Sequence, residues 1–410
     1  MTQNPEVNLI LAASQQHPTP KPAPGISPAL VLTMATACGM AVANLYYAQP
    51  LLHHIAQVFQ TSEAATGWVI TASQLGFALG LLFLLPAGDM LDRRKLVLSV
   101  LAMSPFALLA VSLSPTFPAL IASCLAVGLT SVVVQVMVPF AASLATDEQR
   151  GRVVGTVISG LLIGILGART LSGAVSQVLG WQAVYYLAAV LMAILFLLLW
   201  RSLPEDLPKP PMNYGAAIRS VGRLLLDEPV VRLRSAFGAL AFAAFSVFWT
   251  TVAFVLSGPP YHYNAAVIGL FGLVGAMGAL SASYAGRLAD RGGTGWGTGL
   301  FTGMLGLSFA VLWLGGSQLW AMIAGIFFLD IAAQGMHVLN QSEIYRVAPN
   351  ARSRVNSAYM TSYFLGGAAG SAAGTAVYGA GGWTAVSLFG GVLGLAAFCL
   401  WVVDRLRGKR

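Results

Sequence analysis

The chain has 410 residues, 57% of them hydrophobic and 9% charged, with a formal net charge of +8. A soluble domain carries about a quarter charged residues, so this composition excludes that class and requires a bilayer, whose ~30 Å hydrocarbon core takes helices of about 20 apolar residues. The positive balance does not point to nucleic acid, because Lys and Arg are spread along loops rather than gathered on one face. Cys38, Cys124 and Cys399 stand singly in apolar stretches, so neither a disulfide framework nor a metal site is expected.

In chain order, residues 1–27 are polar and proline-rich (Pro5, Pro18, Pro20, Pro22, Pro24) and read as a disordered tail. They lack the basic start and apolar core of a signal peptide, which leaves the first span as the targeting segment. Twelve apolar spans follow, at 29–53, 65–87, 96–113, 117–144, 153–177, 181–200, 235–257, 264–285, 296–315, 319–343, 356–379 and 383–403. They divide into six-helix bundles over 28–201 and 235–404, joined by a connection at 202–234 and closed by a basic tail at 405–410. The fold class is therefore an all-α membrane protein. In the connection, Pro204, Pro208, Pro210 and Pro211 break the chain. Ile218, Val221, Leu224 and Leu225 then alternate at helical spacing with Arg219, Arg223 and Asp227, the pattern of an amphipathic helix on a membrane surface or of a solvated tether.

Orientation follows from Lys and Arg in the loops. With the spans so placed, 21 of the 22 basic residues fall on one side, among them Arg93, Arg94, Lys95, Arg150, Arg152 and Arg234. Both termini are thus expected in the cytoplasm. The remaining basic residue, Arg169, lies inside span 5, and Asp330 is the acidic residue well within an apolar span. One buried cation and one buried anion are left.

The chain also repeats itself. At an offset of 202, Arg152, Val153, Gly164, Gly180 and Trp181 fall on Arg354, Val355, Gly366, Gly382 and Trp383. Gly164, Ala168 and Ser172 likewise match Gly366, Gly370 and Gly374, stripes of small residues that let helices approach closely in lipid. At an offset of 198, Gly88, Asp92 and Arg93 match Gly286, Asp290 and Arg291.

The loop Gly88-Asp89-Met90-Leu91-Asp92-Arg93-Arg94-Lys95 and its echo from Gly286 to Gly293 resemble the G-x-x-x-D-R signature of the major facilitator superfamily. The resemblance spans about 28–404. It implies two bundles that rock about a central site, and loops at Asp92 and Arg93 that gate the cytoplasmic side. Physically, Gly permits a tight turn, Asp caps a helix or pairs with a neighbouring one, and the Arg cluster fixes orientation. Span 5 resembles a degenerate form of the glycine-rich motif of drug:proton antiporters, with Gly160 and Gly164 kept, Ile165 in place of proline, and Ala168 and Arg169 in place of the closing glycines. The run Asn44 to Pro50 and the stretch Asp330 to Tyr345 are similar to bacterial efflux-like permeases of that superfamily.

Asp330, Gln334, His337 and Gln341 lie at i, i+4, i+7 and i+11 of span 10 and share one face. Polar groups in hydrocarbon are costly, so the stripe must face protein or a water-filled cavity. The resemblance places it on the central cavity, which spans 1, 4, 7 and 10 line in the family. Further cavity candidates are Asn44, Tyr47, Gln135 (the repeat counterpart of His337), Trp249, Tyr359 and Tyr363. Arg169 sits about 25 Å past Arg152 along a straight helix, deep enough to meet Asp330, the alternative being a contact to substrate or, by snorkelling outward, to a lipid headgroup. A close Arg169 would hold Asp330 ionised; without it, the carboxyl is suited to carry a proton, assisted by His337. His53 and His54 are adjacent and point apart on a helix, a poor metal pair. The run Gly293 to Gly297 follows no strand and lacks Gly-Lys-Ser/Thr, so nucleotide binding is not expected.

These features give a secondary transporter that needs no cofactor and is not an enzyme. The expected mode is proton-coupled efflux of a small hydrophobic or amphiphilic compound by a monomer in the bacterial inner membrane. Import of a metabolite by proton symport is the alternative, and a non-transporting sensor or scaffold is the alternative of another class. The expected partners are a solute, protons and the lipid bilayer.

Overall fold

The computed structural model describes residues 25–88, 90–206, 214–275, 277–347 and 352–407. The tail up to residue 24, Asp89, Pro208, Lys209, Pro210, Pro211 and the end of the basic tail (408–410) lie outside them. Every regular element among the described residues is helical. In order they are α1 (Pro28–Ala43), a 3-10 turn (Gln49–Leu51), α2 (Leu52–Val58), α3 (Glu63–Ala87), α4 (Arg93–Ser112), α5 (Phe117–Ser131), α6 (Val133–Leu144) and α7 (Asp147–Leu179). Then come α8 (Trp181–Ser202), α9 (Tyr214–Asp227), α10 (Pro229–Ser257), α11 (Ala265–Val274), α12 (Met277–Asp290), α13 (Thr294–Leu314), α14 (Leu319–Val347) and α15 (Arg352–Arg407). Nine helices among the described residues are long and apolar enough to cross a bilayer, and Pro28–Ala43 and Ala265–Val274 are shorter apolar helices. One of the nine, within α15, holds two sequence spans.

Six starts are written in the sequence as caps. The side chains of Ser27, Ser62, Asp92, Thr116, Thr146 and Asn264 each accept a backbone N–H from the first turn they precede. Two ends depend on glycine. Gly180 (φ +85°) separates α7 from α8, and Gly382 (φ +63°) breaks α15 at the equivalent point of the repeat. Each lies in the left-handed half of the Ramachandran map, where a Cβ is unfavourable.

Three expected spans are not continuous helices. Span 1 ends as an α-helix at Ala43, after which Leu45, Tyr46, Gln49 and Leu51 donate to the carbonyls three residues earlier. The carbonyl of Tyr47 instead accepts the Ser172 hydroxyl at 2.6 Å. Span 4 steps at Val132, where the Thr130 and Ser131 hydroxyls both donate to Val127 O, and Pro139 withholds an N–H about two turns on. Span 8 breaks after Val274, where Gly275 turns back to donate to Leu273 O. Spans 11 and 12 run together as α15 apart from Gly381 and Gly382.

The small-residue stripes do pack helix on helix, and they do so in both repeats. A Cβ at Gly160 or Gly164 would strike the carbonyls of Ala35 or Gly39 on α1, and one at Gly366 or Gly370 would strike those of Ala239 or Ala243 on α10. α7 therefore lies against α1, and the first part of α15 against α10. Two apolar clusters result, one built mainly from residues between Ile26 and Val231 and one from Phe237 to Val386. They meet along two seams, α3 against α15 and α7 against α11. The connection does contain a helix, α9, which rests on α3, α10 and α15 with Ala217 and Val221 buried.

The charge accounting needs one correction. Arg234, counted among the loop residues, sits inside α10 at 8% exposure and donates to Thr298 Oγ1 at 2.9 Å. Glu343 is equally buried and accepts from Arg346 Nη2 at 2.8 Å. Arg169 and Asp330 are thus not the only charged side chains inside the helix packing.

Candidate functional site

A cavity of about 860 Å³ runs between the two clusters. One end lies by Gly88 and Arg93, on the face that carries the basic loops, and the other reaches Arg169 and Asp330. Beyond Arg169 the packing closes. The Thr170 hydroxyl donates to Gly269 O at 3.0 Å, Ser371 Oγ donates to Gly67 O at 3.3 Å, and a Cβ on Gly173 would meet the Ala265 carbonyl. The wall is largely apolar, with Phe77, Phe242, Phe245 and Phe364 among its rings.

The stripe read from span 10 lies on this wall: Asp330, Gln334, His337 and Gln341 all line the cavity, as do Gln135, Tyr363, Gly88 and Arg93. Helix α14 is straight through this segment, so its 3.6-residue period carries the four polar side chains to one side. His337 Nδ1 lies 3.0 Å from the Tyr359 hydroxyl, and its ring is 4.8 Å from that of Tyr363. Nearer the basic face, Asn356 accepts from Tyr345 Oη (2.8 Å) and Gln341 Nε2 (3.5 Å) and donates to Gln135 Oε1 (3.5 Å), linking α6, α14 and α15.

Arg169 is 3% exposed and Asp330 6%. Of the alternatives open for Arg169, snorkelling to a headgroup does not occur, since its side chain is buried. Nor do the two charges form an ion pair. Trp249, 2% exposed, stands between them: its indole face lies 3.9 Å from the Arg169 guanidinium carbon, and its Nε1 donates to Asp330 Oδ1 at 3.3 Å. Tyr46 (4.8 Å) and Phe245 (6.0 Å) offer further ring faces to the guanidinium, and Arg169 Nε donates to Gln49 Oε1 at 2.5 Å. Arg169 Nη2 and Asp330 Oδ2 are buried with no hydrogen-bond partner. Aromatic faces attract a desolvated cation through their quadrupoles, so the three rings hold the guanidinium without a direct ion pair to Asp330.

Bare helix surface supports both charges. A Cβ on Gly272 would press on the Arg169 Cβ at 3.0 Å and one on Gly269 would strike its carbonyl, while a Cβ on Gly275 would lie 2.5 Å from Asp330 Oδ2 and one on Gly278 would lie 3.1 Å from its carbonyl oxygen.

Other candidates fall elsewhere. Tyr47 does not line the cavity; it is buried edge-on to Tyr185 at 6.3 Å, and its neighbour Tyr46 takes the place expected of it. Val42 and Tyr46, four residues apart, share the cavity face, and Tyr47, one residue on, falls to its side. Asn44 is buried in the break after Ala43 with both amide atoms unpartnered, away from the wall. Tyr359 is buried behind His337, and Trp249 between the two charges; neither lines the cavity.

In the loops, Asp92 caps α4 by accepting from Arg94 N (2.9 Å) and Lys95 N (3.4 Å), while Arg93 Nη1 donates to Ser143 Oγ at 3.2 Å. Gly88 is right-handed (φ −64°) and makes no special turn; Gly292 (φ +75°) does so in the second loop. Gly286 lies within α12, Asp290 ends it, and Arg291 N donates to Arg287 O. His53 Nδ1 lies 2.8 Å from Glu63 Oε1, and no cluster of metal-binding side chains occurs among the described residues. Gln49 and Gln74 were not singled out from the sequence. Gln49 holds Arg169, and Gln74 Nε2 donates to Ser246 Oγ at 3.1 Å across the two clusters. Each is a polar residue in an apolar span, which is the signal that marks it.

Comparisons with known proteins agree with this architecture. The chain is 45% identical over 381 residues to the putative uncharacterized transporter YgaY of Escherichia coli (strain K12), covering 93% of this chain and 97% of that one. It is 34% identical over 403 residues to the probable transporter SCO4007 of Streptomyces coelicolor, covering 97% and 92%. In fold it is similar to a bacterial homologue of the human lysosomal transporter Spinster, in an inward-facing and unoccupied conformation (TM-score 0.72, 14% identity, 92% of this chain and 97% of that one). It is also similar to the human organic anion transporter MFSD10 (TM-score 0.67, 18% identity, 92% and 100%). Residues 31–337 match the model of the Major Facilitator Superfamily, and the chain belongs to that superfamily of membrane transporters.

Proposed function

We propose that the protein is a proton-coupled exporter of a small amphiphilic solute, working by alternating access in the bacterial inner membrane as a monomer. In this reading twelve spans form the bundles 28–201 and 235–404, and both termini and the connection 202–234 face the cytoplasm. The cavity then opens inward, and the state described is the one that loads cytoplasmic solute. The observation that carries the reading is a largely apolar cavity ending on a buried Arg169–Trp249–Asp330 cluster whose two charges are not directly paired. Asp330 is the carboxylate on the cavity wall among the described residues, and we assign it the proton. His337, paired to Tyr359, is placed to relay the proton along the same wall. Arg93 ties the start of α4, which Asp92 caps, to Ser143 of α6, the kind of contact that must break when the cytoplasmic side rearranges.

The test uses acidified inside-out vesicles. Adding a panel of amphiphiles outside is expected to release protons from the lumen with wild-type protein and not with Asp330→Asn. Proton release driven only by solute preloaded in the lumen would replace export by symport import. Coupling that is unchanged in Asp330→Asn would remove Asp330 from the proton path.

A further inference from the structure

Each of the two buried charges is anchored through one atom and idle through another. Arg169 is held by Gln49 through Nε and by three ring faces, and its Nη2 has no partner. Asp330 is held by Trp249 through Oδ1, and its Oδ2 has no partner. Both residues line the closed end of the same cavity, and the two idle atoms are themselves buried from it, so a head group meets them as the side chains turn outward. A buried donor or acceptor left unmet costs free energy, more so when charged, so a ligand that meets both is favoured over one that meets either. The opposite signs matter as much as the vacancies. A lone ammonium that satisfies Asp330 stands in the field of the guanidinium, and a lone carboxylate on Arg169 stands in the field of Asp330.

We infer that this site takes a solute with a zwitterionic head group. An anionic oxygen accepts from Arg169 Nη2 while an N–H of the same head donates to Asp330 Oδ2. The body of the solute is apolar or aromatic, because the cavity continues along Phe245, Phe242 and Tyr363, the last two stacked at 4.1 Å. The inference rests on the cavity being the solute site, and it names a class narrower than amphiphiles at large: neither a simple lipophilic cation nor a simple organic anion completes the pair.

The experiment is calorimetric titration of the purified full-length protein in detergent at pH 7.5 with three probes of one body: naphthylalanine, naphthylethylamine and naphthylpropionate. Naphthylalanine is expected to bind at least tenfold more tightly than either singly charged probe. In Arg169→Gln the amine becomes the tightest of the three, and in Asp330→Asn the propionate does. Arg169→Lys and Asp330→Glu keep both signs and keep the wild-type order, which separates charge recognition from misfolding. A wild-type protein that binds a singly charged probe as tightly as the zwitterion, binds none of them, or keeps one order through both charge-removing variants overturns the inference. No gradient is present, so the outcome is independent of proton coupling. Failure here leaves the vesicle result standing, and the reverse also holds.

Discussion

Replacing Trp249 by Phe tests whether the indole couples the two buried charges. The substitution keeps a ring beneath Arg169 but removes the N–H that reaches Asp330 Oδ1 at 3.3 Å. A hydrogen bond to a charged group contributes about 1.5–3 kcal/mol, and the long distance places this one near the lower figure. Trp is also the strongest cation–π face, and exchanging it for Phe at the 3.9 Å contact is expected to cost a further ~0.5–1 kcal/mol. The single variant should therefore lose about 2–3 kcal/mol. In an Asp330→Asn background the acceptor is a neutral amide, whose hydrogen bond contributes only about 0.5–1.5 kcal/mol, so the same substitution should cost about 1 kcal/mol less. Equilibrium unfolding of all four proteins in mixed micelles of rising dodecyl sulfate content gives the cycle. Costs that add within about 0.5 kcal/mol would show that the indole does not couple the charges and would refute the reasoning.

Asp92→Ala is expected to lose about 0.5–2 kcal/mol through the missing cap of α4, whereas Asp92→Asn retains the cap. If transport falls in both while stability falls only in the first, the charge itself serves the cytoplasmic gate; equal transport in Asp92→Asn would leave Asp92 as a cap alone. Gly382→Ala places a Cβ at φ +63° and should cost about 1–3 kcal/mol in the same unfolding assay. Gly167→Ala meets nothing within 4 Å and should be neutral or slightly stabilising. Gly164→Leu drives a side chain into the Gly39 carbonyl and is expected to separate α7 from α1, lowering the yield of monodisperse protein sharply. Chromatographic behaviour like that of the wild type would argue against that packing.

The sequence carried the frame because the frame is periodic. Polar residues at 330, 334, 337 and 341 had to share a face once the segment was helical, and the small residues of spans 5 and 11 had to form stripes. Gly180 and Gly382 announced their breaks by residue type. The break after Ala43 gave no such sign: there the Tyr47 carbonyl turns to the Ser172 hydroxyl, 125 residues away, whereas Tyr46, four residues past Val42, keeps to the cavity-lining face. Arg169 and Asp330 stood out as charges in apolar spans, but their relation depends on α7, α10 and α14 converging on Trp249. A lone tryptophan in an apolar span carries no such message. Arg234 was misplaced because loop and helix are not distinguished by charge when the helix runs a turn and more beyond its apolar core.

The four glycines beneath the charges lie on both sides of a joint. Gly269 and Gly272 belong to α11 and bed Arg169, whereas Gly275 and Gly278 lie past its end and bed Asp330. The two charges thus rest like the tips of a caliper whose pivot is the end of α11. Opening or closing the angle there changes their separation even if α7 and α14 keep their own shapes. Because hydrogen is the only substituent on that surface, no side chain cushions the movement, and a small change of angle passes undamped to the spacing of the guanidinium and the carboxylate.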